Sequence, residues 1–252
     1  LIALAVAASA VVSGSAMAAW TANGGGGTVE FSGSLTPVTK ATPWETSIGA
    51  AVTDLNAQIQ KNDTKAEINV QKTLPILAIR STEQFAGRAG ITPIINYGWL
   101  NKDWHNSAVT GNAAVWNEAG KRMGSAVISV TAQALSASSR LDGSEPDQKL
   151  LGANKGQGYF GGLPTSTDDI SDVRNIIREG WPNIEEKYVV PKGAVWIKPW
   201  SETFSNPEWK FSSYYGSVIA KNSKIKMTFD APVSGDAPFK WSIRLPATVT
   251  YQ

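Results

Sequence analysis

The strictest alternation in the chain runs over its last dozen residues. Trp241, Ile243, Leu245, Ala247, Val249 and Tyr251 are apolar and odd-numbered, with Ser242, Arg244, Thr248, Thr250 and Gln252 between them. Successive side chains on a strand point to opposite faces, so this period requires a sheet with one face on a core and one in water. A second alternation lies near the start. Val29, Phe31 and Leu35 share one parity with Gly33 between them, and they follow the linker-like run Gly24-Gly25-Gly26-Gly27. Four consecutive glycines are costly to hold in one conformation. Two readings of 28–35 stand side by side: the first strand of its own domain, or a strand carried on a leader for use elsewhere.

Between these ends the pattern predicts many short strands. Ile68 and Val70 alternate, then Leu74, Ile76 and Ala78, with Pro75 marking an edge or bend. Further strands are expected over Ala126 to Val130, Tyr188–Val190, Ala194–Ile197, Tyr214–Ala220 and Ile225–Phe229. Ile48, Val52, Leu55 and Ile59 recur at near-helical spacing and predict an amphipathic helix or turn within 44–60, weakened by Gly49 and Thr53. Residues 136–165, rich in Ser, Gly, Asp and Lys, read as a long loop. A helix is expected after it, capped by Ser166 and Asp169, striped with Ile170, Val173, Ile176 and Ile177, and ended by Gly180 and Pro182. Many short strands with Gly- and Pro-marked turns imply an all-β, immunoglobulin-like sandwich, with 136–186 as a loop and helix insertion.

Leu1 to Val12 is apolar but too short to span a bilayer, and Ala16-Met17-Ala18 is a small-residue cleavage pattern. The expected organisation is therefore an export signal over 1–18, an N-terminal extension over 19–36 and one large domain over 37–252. Of the 252 residues, 42% are hydrophobic and 17% charged, enough for a proper core. A net charge of +2, without long like-charge blocks, argues against nucleic acid as the main partner.

Little in the chain suggests chemistry. With no cysteine, thiol catalysis, disulfides and Cys-type metal sites are excluded. The single histidine, in Asp103-Trp104-His105-Asn106, lacks a nucleophile elbow. Gly156-Gln157-Gly158-Tyr159-Phe160-Gly161 spells G-x-G-x-x-G, but in a polar loop running into Pro164 rather than between a strand and a helix. The acidic pairs Asp168-Asp169 and Glu185-Glu186 make no recognisable catalytic dyad; adjacent carboxylates on a strand point apart, and the first pair suits a helix N-terminus. No catalytic residue, metal or cofactor is expected.

Several segments, taken in order, resemble a known family. They are Pro75-Ile76-Leu77 with Arg80 and Glu83-Gln84-Phe85; Tyr159-Phe160-Gly161-Gly162-Leu163-Pro164-Thr165; Tyr215-Gly216-Ser217-Val218-Ile219-Ala220 leading to Met227-Thr228-Phe229; and Trp241 to Tyr251. The chain is similar to the FaeG-type fimbrial subunits of enterotoxigenic Escherichia coli, in which the main structural subunit is also the adhesin. Residues 95–125 and 180–212 fit that family poorly. The resemblance implies an incomplete sandwich closed by the donor strand of a neighbouring copy, here Val29, Phe31, Gly33 and Leu35. It implies a periplasmic chaperone, an outer-membrane usher, a cell-surface fimbrium and a host glycoprotein or glycolipid as ligand.

For a glycan, aromatic faces and planar hydrogen bonders are the chemistry to seek. In the insertion these are Lys155, Tyr159, Phe160, Arg174, Arg178 and Trp181. The competing roles are loop anchors for Tyr159 and Phe160 and a solvated helix face for Arg174 and Arg178. Trp99, Trp104 and Trp200 stand in polar contexts that suggest exposure. Two alternatives accompany this reading: a minor subunit of the same family, or a secreted monomeric carbohydrate-binding sandwich.

Overall fold

The computed structural model describes residues 32–34 and 41–252. The chain divides into two compact units, Leu1–Lys40 and Ala41–Gln252. Of the first, residues 32–34 are described, and all three are exposed. Val29, Phe31 and Leu35 lie outside the described residues, as do the expected signal and the glycine run.

The second unit is all-β and immunoglobulin-like. Its strands are β1 (Trp44–Ile48), β2 (Lys65–Asn69), β3 (Leu74–Ser81), β4 (Phe85–Ala86), β5 (Pro93–Asn96), β6 (Ala108–Asn117), β7 (Arg122–Arg140) and β8 (Asp147–Leu150). One helix, α1 (Arg174–Gly180), then precedes β9 (Val195–Trp196), β10 (Trp209–Ile219), β11 (Lys224–Phe229), β12 (Trp241–Ile243) and β13 (Thr248–Tyr251). β10 and β11 lie end to end along β7, and β3 and β2 lie end to end along them in turn. β1 flanks β3, while on the far side of β7 its first half carries β6 and its second half carries β8. β12 extends β6, and β13 pairs with β5. The large sheet thus runs from β1 round to β12, the separate β5–β13 pair packs on the same core, and that core includes Ile79, Ile128, Val130, Tyr215 and Ile225.

β7 explains the first departure from the sequence pattern. Its second half, Ala132 to Ser139, is buried throughout although it is rich in Ala and Ser. One face meets the main core. On the other, Leu135 joins Ala78, Ile177, Ile184, Tyr214 and Val218 beneath α1. A strand covered on both faces loses its alternation, and small side chains let both layers approach. Residues 136–140 are therefore strand, and β8 follows at 147–150, where a long loop was expected. Gly216 shows how tight this contact is. A Cβ there would lie 2.5 Å from Ile177 Cγ2 and 2.9 Å from Ile184 Cδ1.

The helical expectations shift too. Thr167–Asp169 forms a separate 3-10 turn in which Ser166 accepts from the Asp168 N–H, and α1 begins only at Arg174. Ser171 leaves the helical path because its N–H and C=O are taken by Ser107 and Gln133. Over 44–60 there is no helix. Trp44–Ile48 is strand, and Gly49 donates to Ile76 O, so close that a Cβ would stand 1.9 Å from Pro75 O. From there 50–60 runs outside any helix or strand. Pro75 sits where the β3–β10 register shifts, beyond the reach of β1, which fits the expected bend. Tyr188–Val190 is not a strand, and only Val195–Trp196 of 194–197 pairs.

Candidate assembly seam and receptor face

β13 presents two edges with different fates. Thr92 N–H donates to Gln252 O and Gln252 N–H to Thr92 O, both at 3.0 Å, which fixes the phase of the antiparallel ladder. Hydrogen-bonded pairs alternate along such a ladder, so Thr250 and Thr248 also face β5. The backbone groups of Val249 and Tyr251 then point to the opposite edge. Among the described residues no strand pairs with that edge, nor with the corresponding edge of β12.

The inner face along this edge is apolar and only half-covered. Trp241, Ile243, Leu245, Ala247, Val249 and Tyr251 all pack on the core, yet all are partly exposed. The opposite bank is the irregular run 50–60, whose Val52, Leu55 and Ile59 are likewise half-buried against the core. That is why the three residues looked helical. They are the inward points of an irregular bank with no partner strand among the described residues. At the β12 end the seam opens into a cavity of about 780 Å³. Its lining includes the core-facing Ala66, Ile68, Met227 and Phe229, together with Ile59 and Trp241. Unpaired backbone donors beside an apolar trough form a template for an added strand.

The sequence-nominated receptor residues fall into three groups. Tyr159 is fully buried, stacks on Tyr215 at 5.5 Å, and donates to Ser213 Oγ at 2.9 Å; burial pushes its hydroxyl pKa up. Phe160 is half-buried and bridges to Ile94, with its carbonyl taken by the Ile95 N–H. These two rings anchor the insertion, and the G-x-G-x-x-G run is the turn that presents them, with Tyr159, Gly156 and Gly161 at positive φ. Lys155, at the tip of that turn, is exposed.

Arg174 and Arg178 are pinned along α1. Arg174 grips Asp172 with its Nε and Nη2, and its guanidinium lies 4.8 Å over the Trp196 ring. Arg178 holds Glu185 with two bonds of 2.9 Å, and Glu185 also accepts from the buried Tyr214 hydroxyl. Trp181 stands apart. It is half-buried, donates to Ser217 O at 3.1 Å, and borders a pocket of about 420 Å³ with Glu45, Arg80, Asn183 and Ile184. Arg80 donates to Glu45 at 2.5 Å and also to Asn183 O, and Lys187 reaches Glu45 at 3.0 Å. Lys187 first and Arg80 second hold the Glu45 carboxyl below the usual range.

Sequence reasoning missed Glu45 and Arg80 because they meet Trp181 only after β3 pairs with β1 and the insertion folds over both. Trp196 was missed too, and it is 49% exposed. Of the three tryptophans expected outside, Trp200 is 62% exposed, Trp99 is half-buried on Pro246 O, and Trp104 is buried at 7%. His105 is a surface residue 3.5 Å from Asp169. Among the described residues no group of three or more His, Cys, Asp or Glu could hold a metal ion. Nor is any described helix long and apolar enough to cross a membrane.

The domain is an all-β sandwich with a docked insertion and, among the described residues, an apolar seam along which no strand pairs. The chain belongs to the family of fimbrial major and minor subunits, whose model matches residues 1–252. That membership bears out the resemblance to the FaeG-type subunits and makes the chain a structural subunit of a surface fimbrium that assembles with other subunits. No curated protein matches it.

Proposed function

We propose that the subunit polymerises by donor-strand complementation, residues 28–36 of one copy filling the seam of the next. The observation that supports this best is the β13 edge, which no strand pairs among the described residues, running beside six half-buried apolar side chains. Val29, Phe31 and Leu35 on one face of the donor supply what such a trough lacks, at about 1.5–3 kcal/mol for each side chain buried. Each ladder bond to the edge adds roughly 0.5–1.5 kcal/mol. Gly33 suits a point where the floor rises. In this reading residues 1–18 direct export, 19–36 are leader and donor, and 37–252 are the accepting domain. A periplasmic chaperone holds the seam until an outer-membrane usher exchanges it for the next donor.

The mature chain alone should then be unstable or aggregate. The same chain with 28–36 appended after a linker beyond residue 252 should be a soluble monomer. A stable unmodified monomer would sink the proposal. Phe31→Asp should abolish fibres while leaving chaperone binding intact, and normal fibres from it would refute the register.

A receptor role on the same subunit is the second part of the reading. The pocket beside Trp181 supports it, since it joins an indole to the planar groups of Arg80, Glu45 and Asn183. Lys155, Arg174 and Arg178 lie on the same insertion, and the ligand class is a host glycoprotein or glycolipid. Trp181→Ala and Arg178→Ala should each lower binding on a glycan array without changing fibre assembly; unaltered binding in both removes this site.

A further inference from the structure

The donor strand is on a short lead, and its length restricts how two copies can meet. Only six peptide steps separate Leu35 from Ala41, where the described body begins. Fully extended, they span about 20 Å. Wherever the donor of one copy lies in the next, the two bodies must therefore approach closely at the end where the lead crosses. This rests on the donor-strand reading and asks which surfaces then touch.

On the donating copy that surface is fixed. Ala41–Trp44 is tied down beside Arg88 and Thr82. Arg88 Nη2 donates to Ala41 O at 2.9 Å, the Thr82 N–H to Pro43 O at 2.8 Å, and Trp44 Nε1 to Ile91 O at 2.6 Å. We call this end the base. Thr42, Pro43, Glu83 and Arg88 line a concavity of about 480 Å³ there. Tyr251 belongs to the same end, because it pairs with Pro93 and its neighbour Gln252 with Thr92, next to the Ile91 carbonyl that holds Trp44.

The accepting copy offers two ends of its seam, one at Tyr251 and one at Trp241, roughly 30 Å apart for an extended run of ten residues. The Tyr251 end is that copy's own base, from which its own lead departs to another neighbour. One small surface cannot seat two bodies. The lead must therefore enter at the Trp241 end, where the 233–239 loop stands beside the turn at Asn62. That loop is held by the Asn62 N–H to Val233 O and the Val233 N–H to Asp63 O, both at 2.9 Å. It carries the exposed Phe239, Ala237 and the Lys61–Asp236 ion pair, whose side chains are 55% and 88% exposed. We infer that the base around Pro43, Glu83 and Arg88 packs on the 233–239 loop and Lys61 of the next copy, a head-to-tail contact separate from the donor strand. The charges are complementary, with Arg88 available to Asp236 and Glu83 to Lys61.

The absence of cysteine from the chain makes the test clean. Fibres assembled from a Thr82→Cys, Ala237→Cys double variant and then oxidised should give a ladder of covalent oligomers on a non-reducing gel. Fibres that yield only monomer would overturn the contact. So would dimers from Thr82→Cys alone, because they require base to meet base. If the double variant does not assemble, the charge pair decides. Glu83→Lys should slow fibre growth at low salt by roughly tenfold, and adding Lys61→Glu should restore it. Unchanged growth in both variants overturns the proposal. The unmodified mature chain keeps the two ideas apart: if it is a stable monomer without chaperone or added strand, the donor-strand reading itself has failed, whatever the cross-links show.

Discussion

Tyr159 illustrates how single residues hold this domain together. Its ring fills the core between Trp44, Phe204 and Tyr215, and its hydroxyl donates to Ser213. Tyr159→Phe keeps the ring and leaves Ser213 without that donor, so a loss of about 0.5–1.5 kcal/mol is expected in chemical denaturation of the donor-complemented monomer. Gly216 is less forgiving. A methyl group there meets the Ile177 Cγ2 and Ile184 Cδ1 methyls, and both side chains are buried with little room to move aside. Gly216→Ala should loosen α1 at a cost of about 1–3 kcal/mol, seen as faster hydrogen exchange over 174–184 with the β7–β11 ladder still protected. The glycine looked unremarkable in the sequence, because its role depends on two isoleucines more than thirty residues upstream.

At the scale of elements, the phase of β13 gives a sharp contrast. The N–H of Thr250 points to β5 and that of Val249 to the open edge. Proline removes an N–H without adding a charge. Thr250→Pro should weaken the domain itself, lowering its melting temperature in the chaperone-bound state. Val249→Pro should leave the β5 ladder intact and instead reduce the stability gained from an appended 28–36 strand. Equal effects from the two substitutions would refute the assigned phase. The strands were largely legible, and in β2, β11, β12 and β13 the alternation survives in the fold, whereas in β3 Leu74 and Ile76 face the main core and Ala78 the layer beneath α1. The bank at 50–60 and the second half of β7 were not. One has apolar points three and four residues apart because it makes no ladder, and the other is covered on both faces.

The whole molecule should be sensitive to alkali. Burial raises the pKa of Tyr97 to about 12 and also raises those of Tyr159, Tyr214 and Tyr215. An acid whose folded pKa lies above its unfolded value stabilises fully below the unfolded one. That contribution is lost as pH rises through the folded one. Stability should thus fall from about pH 10 toward pH 12. Tyr97→Phe should move the alkaline midpoint of a circular-dichroism titration upward; an unchanged midpoint would exclude Tyr97 as a contributor. Glu45 works in the other direction, as its lowered pKa adds stability that disappears on acidification below its ordinary value.

The sequence by itself determined the chemistry this protein lacks and the class of surface it builds. It contains no thiol and one histidine, and its most regular strand has one apolar face. These are local properties, carried by residue type and a period of two. Which edge of β13 faces β5, which tryptophan borders a pocket and which tyrosine vanishes into the core were decided only by tertiary structure. Each depends on partners far along the chain. β13 meets β5 across some 150 residues, and Trp181 meets Arg80 and Glu45 only through the β1–β3 pair and a folded-back insertion.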